Sequence, residues 1–184
     1  MATQREIDRT DRSCLARLAR GDTDALEGIY DRHAERLFAH ALWVLGRRAD
    51  AEDAVQTIFV KLAGMGAALL GIRRPGAYLQ RMAHLEAIES HRRRGSRREE
   101  GDARELLALV GDPGSGHHAE AALLERRLAR LDLVQREVVY LHLWAGLTFR
   151  EIGAVTGVST FTAASRYRLA IARLRRELDQ GPHR

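Results

Sequence analysis

The chain has 184 residues and a formal charge of +5 at neutral pH, enough length for one domain or two small ones, each able to bury a core. Cys14 is its single cysteine, which excludes an internal disulfide framework and a cysteine-based zinc site. No run approaches the roughly 20 apolar residues that a membrane helix needs, and the N-terminal MATQREIDRTDRS lacks the apolar core of a signal peptide, so a soluble chain acting in the cytoplasm is expected.

All but Lys61 of the 30 basic residues are arginine. The planar guanidinium fork suits phosphate and guanine edges, and the basic balance favours a polyanionic partner. The three prolines, Pro75, Pro113 and Pro182, lie far apart, and apolar residues between them recur at helical spacing. The predicted fold is all-α: two small helical domains joined by a flexible linker, the C-terminal one containing a helix-turn-helix.

In chain order, a first long helix is expected from about Asp24 to Leu45, with Leu26, Ile29, Tyr30, Leu37, Phe38, Ala41 and Leu45 as its stripe and Gly46 closing it. Asp50 is the expected N-cap of a second helix, AEDAVQTIFVKLA, whose face is Ala51, Ala54, Val55, Ile58 and Leu62. Its other side carries Glu52, Asp53, Gln56 and Lys61 together with Phe59 and Val60. Those acids read either as solvated first-turn residues near the positive end of the helix dipole or as part of a protein interface. Catalysis ranks far behind, since adjacent carboxylates diverge on a helix. A Gly-rich loop, Gly64–Gly76, holds Leu69, Leu70, Ile72, Arg73 and Arg74. Pro75 then opens a third helix with Tyr78, Leu79, Met82, Leu85 and Ile88, ending in HRRRGSRR. The cluster Arg92, Arg93, Arg94, Arg97 and Arg98 exceeds what a helix C-terminus requires, and suits salt-dependent phosphate contacts.

From Gly95 to about His118 the composition turns hydrophilic, with GDPGSGHH as a flexible connection and ARELLALV a short helical interruption. Periodicity resumes at Ala119 with Leu123, Leu124, Leu128 and Leu131, and continues through REVVYLHLWAG. The expected division is therefore 1–94, a linker over 95–118, and 119–184. Trp43 and Trp144 read as core or shoulder residues. Thr148 with Glu151 forms a capping box, Ile152 and Val155 give a short apolar face, Gly157 supplies the turn, and Ser159 caps the next helix. That helix sets Tyr167, Ile171, Leu174 and Leu178 on one face and Arg166, Arg168, Arg173, Arg175 and Arg176 around the others. Such a unit suits a helix laid in the DNA major groove, though an ordinary helical hairpin with a solvated basic face has the same pattern. His33, His40, His84 and His91 are scattered and His117–His118 fall in the linker, so no metal site is expected. No phosphate loop, HExxH or nucleophile elbow occurs, and neither a cofactor nor an enzymatic activity is expected.

ALEGIYDRHAERLFAHALWVLG, ADAEDAVQTIFVKLA and the Arg-rich end of the third helix, with LDLVQREVVYLHLWAGLTFREIGAVTGVSTFTAASRYRLAIARLRREL, resemble the extracytoplasmic-function (ECF) group of the sigma-70 family of bacterial sigma factors. The resemblance implies three surfaces. Glu52, Asp53, Gln56, Phe59 and Val60 would dock on the clamp helices of the RNA polymerase largest subunit. The loop and third helix, with Arg73, Arg74, Arg81, Glu89, Arg92 and Arg93, would open the promoter and read the −10 element. Arg150, Ser159, Thr160, Thr162, Ser165, Arg166 and Arg168 would serve the −35 element. The implied partners are core RNA polymerase, promoter DNA and an anti-sigma protein, without membrane insertion. A regulator that kept the fold but no longer initiates transcription, or a module that sequesters polymerase or an anti-sigma protein, would share many of these residues. The chain departs from the family pattern at Ala63, usually aromatic, at Leu85, usually Asn, at Glu89, usually Asp, at Thr156, usually Leu, and at Ala163 and Ala164 in the recognition helix.

Overall fold

A computed structural model of the chain describes residues 4–94, 128 and 130–179, and every regular element among them is helical. The linker motifs ARELLALV and GDPGSGHH, Arg97, Arg98, His117, His118 and the expected start at Ala119 lie outside the described residues.

The first helix, α1 (Gln4–Leu18), lies where no element was predicted. Its sequence is mostly polar, and its place is fixed by Leu15 and Leu18 and by a buried carboxylate, Asp11. Arg32 Nε donates to Asp11 Oδ1 at 2.8 Å and His33 Nε2 lies 2.7 Å from Oδ2, both from the next helix. Burial pushes the Asp11 carboxyl upward, but the bonds from His33 and Arg32 outweigh it and leave the group below its ordinary value.

Helix α2 (Ala25–Leu45) follows Asp24 as expected, and Gly46 ends it in the left-handed region, φ 75°, its N–H returning to Leu42 O. Helix α3 (Arg48–Gly64) corrects one expectation: Arg47, in extended backbone, is the N-cap, and Asp50 is a buried residue of the first turn. The segment Gly64–Gly76 is not all loop, since Gly66–Gly71 form a 3-10 turn that buries Leu69. Helix α4 (Pro75–Arg94) starts at the expected proline. It buries Leu79, Ala83 and Ala87, whereas Leu85, expected in the stripe, is 51% exposed. The apolar period places Leu85 off the line of Ala83 and Ala87, on the outer side. Helices α1 to α4 enclose a core built around Ile29, Leu37, Ile58, Leu62 and Leu79.

Asp132 caps α5 (Leu133–Leu143) through the Gln135 amide, 2.8 Å away. The capping box of α6 (Phe149–Thr156) forms in both directions: the Glu151 amide donates to Thr148 Oγ1 at 3.3 Å and the Thr148 amide to Glu151 Oε2 at 3.0 Å. Gly157 adopts φ 75° in the turn, and the Thr162 amide donates to Ser159 Oγ at 3.0 Å to start α7 (Thr160–Asp179). The sharpness of this turn rests also on Gly153, where a Cβ would meet Val158 O at 2.7 Å. Only glycine lets the two helices close this tightly.

A second core gathers Leu131, Val138, Leu141, Ile152, Ala163, Ala170 and Leu174, and it includes Trp43 from α2. The two helical bodies are therefore packed together. Trp43 Nε1 donates to Arg136 O at 2.9 Å, and its ring lies 4.4 Å from that of Trp144. Tyr140 Oη donates to Arg36 O at 3.3 Å, and Arg136 Nη1 to Val44 O at 3.2 Å.

Candidate nucleic-acid and protein interfaces

Helices α2 and α3 leave between them a groove of about 670 Å³, walled by Tyr30, Phe38 and Phe59. Four of the five predicted docking residues line it: Glu52, Gln56, Phe59 and Val60. Phe59 is a wall and not a protruding residue, since it is 6% exposed and packs on Tyr30 with ring centroids 4.9 Å apart. Val60 stands on the rim at 66% exposure. Arg48 Nε pairs with Glu52 Oε1 at 2.7 Å across the polar edge. Ala63 also lines the groove, so the small residue at this position leaves it open. Asp53 is set apart on the other shoulder of α3, where it joins Thr57, Glu86, Ser90 and Arg93 around a depression of about 350 Å³. Lys61, on α3, forms an ion pair with Glu86 of α4.

The basic residues assigned to the −10 element fall into two groups. Arg73, Arg74 and Arg81 border a cavity of about 850 Å³ between the first helical body and the helix-turn-helix. Arg81 Nη1 donates to Ala154 O at 2.9 Å, and Arg74 Nη2 lies 3.3 Å from Glu151 Oε1. The Thr148 amide and hydroxyl, with Arg74, hold the Glu151 carboxyl below its ordinary value. Arg73 is exposed, and its carbonyl accepts from Arg12 Nη1 at 3.2 Å. Glu89 pairs with Arg92 at 2.9 Å further along α4, and Arg93 is exposed beside them. At 1.5 Å per residue, Arg92 lies roughly 16 Å beyond Arg81.

On the helix-turn-helix, Arg150, Ser159, Thr160 and Arg168 are exposed, and Thr162, Ser165 and Arg166 are half-buried. Successive residues turn by about 100°, which places Ser165 and Arg168 on the line opposite the buried Ala163, Ala170 and Leu174. Thr162 sits on its flank, and Arg166 lies nearer the core side. The hydroxyls of Ser159 and Thr162 are 2.8 Å apart and bond each other, so both serve the cap.

Sequence reasoning missed the cluster that joins the two bodies. Glu137 of α5, 1% exposed, lies with Oε1 2.9 Å from His40 Nε2 of α2 and 2.8 Å from His84 Nδ1 of α4. A carboxylate only accepts, so each imidazole donates through that nitrogen. Burial drives the Glu137 carboxyl upward, but the bonds and charges of His40 and His84 prevail and lower it from 4.5 to about 2. Among the described residues no group of side chains is arranged to hold a metal ion, and no helix is long and apolar enough to cross a membrane.

Two family profiles match the chain: Sigma-70 region 2 over residues 29–97 and Sigma-70 region 4 over residues 121–174. The RNA polymerase sigma-E factor of Streptomyces avermitilis is 31% identical over 162 residues, spanning 88% of this chain and 89% of that protein. The ECF RNA polymerase sigma factor SigK of Mycobacterium sp. (strain KMS) is 30% identical over 173 residues, 88% and 86% of the respective chains. Among solved structures, CnrH in complex with the cytosolic domain of CnrY superposes with a TM-score of 0.67 at 26% identity, covering 94% of this chain and 99% of that one. With a capped helix-turn-helix, a separate groove on the region 2 body and these relatives, the chain belongs to the ECF group of the sigma-70 family of bacterial transcription-initiation factors.

Proposed function

We propose that this sigma factor docks core RNA polymerase on the α2–α3 groove, reads the −10 element with the arginines at the start of α4, and reads the −35 element with the outward line of α7. It acts as a non-enzymatic specificity subunit in the cytoplasm, where polymerase and promoter meet. The observation that carries this reading is the separation of the surfaces. The groove faces away from the interface between the bodies, and the outward line of α7 is open to solvent, so docking and −35 reading do not compete for one face. An anti-sigma protein is the expected control, and the complex of CnrH with the cytosolic domain of CnrY is an instance of a similar fold holding a protein partner.

The packed arrangement cannot serve both elements at once. The −10 and −35 elements lie about 25 base pairs apart, roughly 85 Å at 3.4 Å per step. A compact chain of this length has a radius of gyration of about 16 Å and measures about 40 Å across. The two bodies must part on the promoter, and a linker over 95–118, 24 residues, would set an upper reach of about 80 Å between its ends at full extension.

Tethered cleavage tests the assignment. In a Cys14→Ser background, an iron chelate on Thr160→Cys is expected to cut promoter DNA near −35, and one on Arg73→Cys near −10, when each variant is bound to core polymerase. Cuts from both tethers in one segment, or no cuts from either, would contradict the division.

A further inference from the structure

At 75% exposure, Phe161 exceeds every other large apolar side chain described as exposed. Single apolar residues on a surface are ordinary, so its position must carry the argument. Phe161 is the second residue of α7, directly behind the Ser159 cap. It falls on the same line as Ser165 and Arg168, opposite Ala163, Ala170 and Leu174, which pack into the second core. Leu169, 58% exposed, borders that line. The Arg168 guanidinium lies over the Phe161 ring, 6.0 Å from its centroid, in one cation–π contact. The fold itself makes no core use of this side chain.

The first residues of the second helix of a helix-turn-helix are those that meet base edges in the major groove. A phenyl ring has no donor or acceptor, so it cannot read the hydrogen-bond pattern there. The apolar group that the groove offers is the thymine 5-methyl. The Ser159 and Thr162 hydroxyls bond each other, and Ser159 Oγ also accepts from the Thr162 amide, so part of their hydrogen-bonding capacity goes to the cap. We infer that Phe161 is a specificity-determining residue that selects a thymine in the upstream promoter element through its 5-methyl group. This rests on α7 being the −35 reader.

Replacing thymine by deoxyuridine removes that methyl and nothing else. Holoenzyme reconstituted from core polymerase and the full chain would first select duplexes from a library randomised across the upstream element. Each thymine of the selected element would then be replaced in turn, and the affinity measured. Burying one methyl corresponds to about a fourfold change in affinity, so wild-type holoenzyme is expected to weaken about fourfold at one thymine. Phe161→Ala is expected to bind thymine and uracil duplexes equally there, while Phe161→Leu, still apolar, keeps part of the preference. A selected element in which no thymine replacement matters, or a Phe161→Ala variant with the wild-type preference intact, overturns the inference but leaves α7 as the reader. Selection of no upstream element at all overturns both.

Discussion

Glu137→Ala is expected to part the two helical bodies of the free protein. Glu137 joins three elements in one buried cluster, with His40 at 2.9 Å and His84 at 2.8 Å. Its removal leaves two imidazoles without their acceptor in a buried site, and deleting one member of a buried charged network typically costs about 3–5 kcal/mol. That is a large share of what holds two small bodies together. The remaining contacts include the packing of Trp43 in the second core, hydrogen bonds to main-chain carbonyls from Arg81 to Ala154, Arg36 to Ala145 and Trp43 to Arg136, and one exposed ion pair, Arg74 with Glu151. Small-angle scattering should show the radius of gyration of the variant rising well above the compact value of about 16 Å. Unchanged scattering with an unchanged denaturation midpoint would show that the cluster does not hold the bodies together.

The same carboxylate sets a pH dependence. Its pKa is lowered from 4.5 to about 2, so its contribution is complete above about pH 4.5 and is lost as pH falls toward 2. Asp11 and Glu151 are also lowered and add to the acid transition, the first within α1 and α2, the second at the capping box and Arg74. Comparison with Glu137→Gln isolates the Glu137 part. The wild type should loosen across that window with a steeper dependence than the variant, read by the distance between labels on α3 and α7.

Val60→Asp is expected to weaken binding of core polymerase at least tenfold, a loss of about 1.4 kcal/mol or more. The groove of about 670 Å³ has aromatic walls, and binding there requires it to dry. A new carboxylate on the rim would have to be desolvated without a partner. Val60 is 66% exposed, so the substitution removes little from the core and the fold should be retained. Asp53→Ala is the internal comparison. Asp53 lies off the groove, on the shoulder facing Ser90 and Arg93, and its loss should weaken core binding less than loss of Val60. Equal affinities for Val60→Asp and wild type in a core pull-down would refute the groove as the docking face.

The signals that were legible in the sequence are those written over a few residues. The capping box at Thr148 and Glu151, the turn at Gly157, the cap at Ser159 and the stop at Gly46 all formed where local chemistry put them, because each is a contact between near neighbours. The start of α3 shifted because an extended Arg47 and a buried Asp50 are decided by packing and not by side-chain type alone. Helix α1 was hidden because its decisive residue is a carboxylate, whose burial makes sense only with Arg32 and His33 beside it, 21 and 22 residues away. The histidines that read as scattered are brought to Glu137 across 97 and 53 residues, a distance at which spacing carries no signal. In α7 arginines dominate the sequence pattern, and the exposure of Phe161 follows only from the inward packing of Ala163, Ala170 and Leu174 on the opposite side.

Run-off transcription tests the central claim most directly: that this chain directs core RNA polymerase to promoters. Purified core polymerase would be challenged with a set of promoters from the source genome, with and without the full chain. Discrete transcripts that require the chain, and that disappear with Val60→Asp, are the predicted result. Binding of the chain to the same DNA with no core-dependent transcript would contradict it, and would leave a DNA-binding protein that kept the sigma fold without its function.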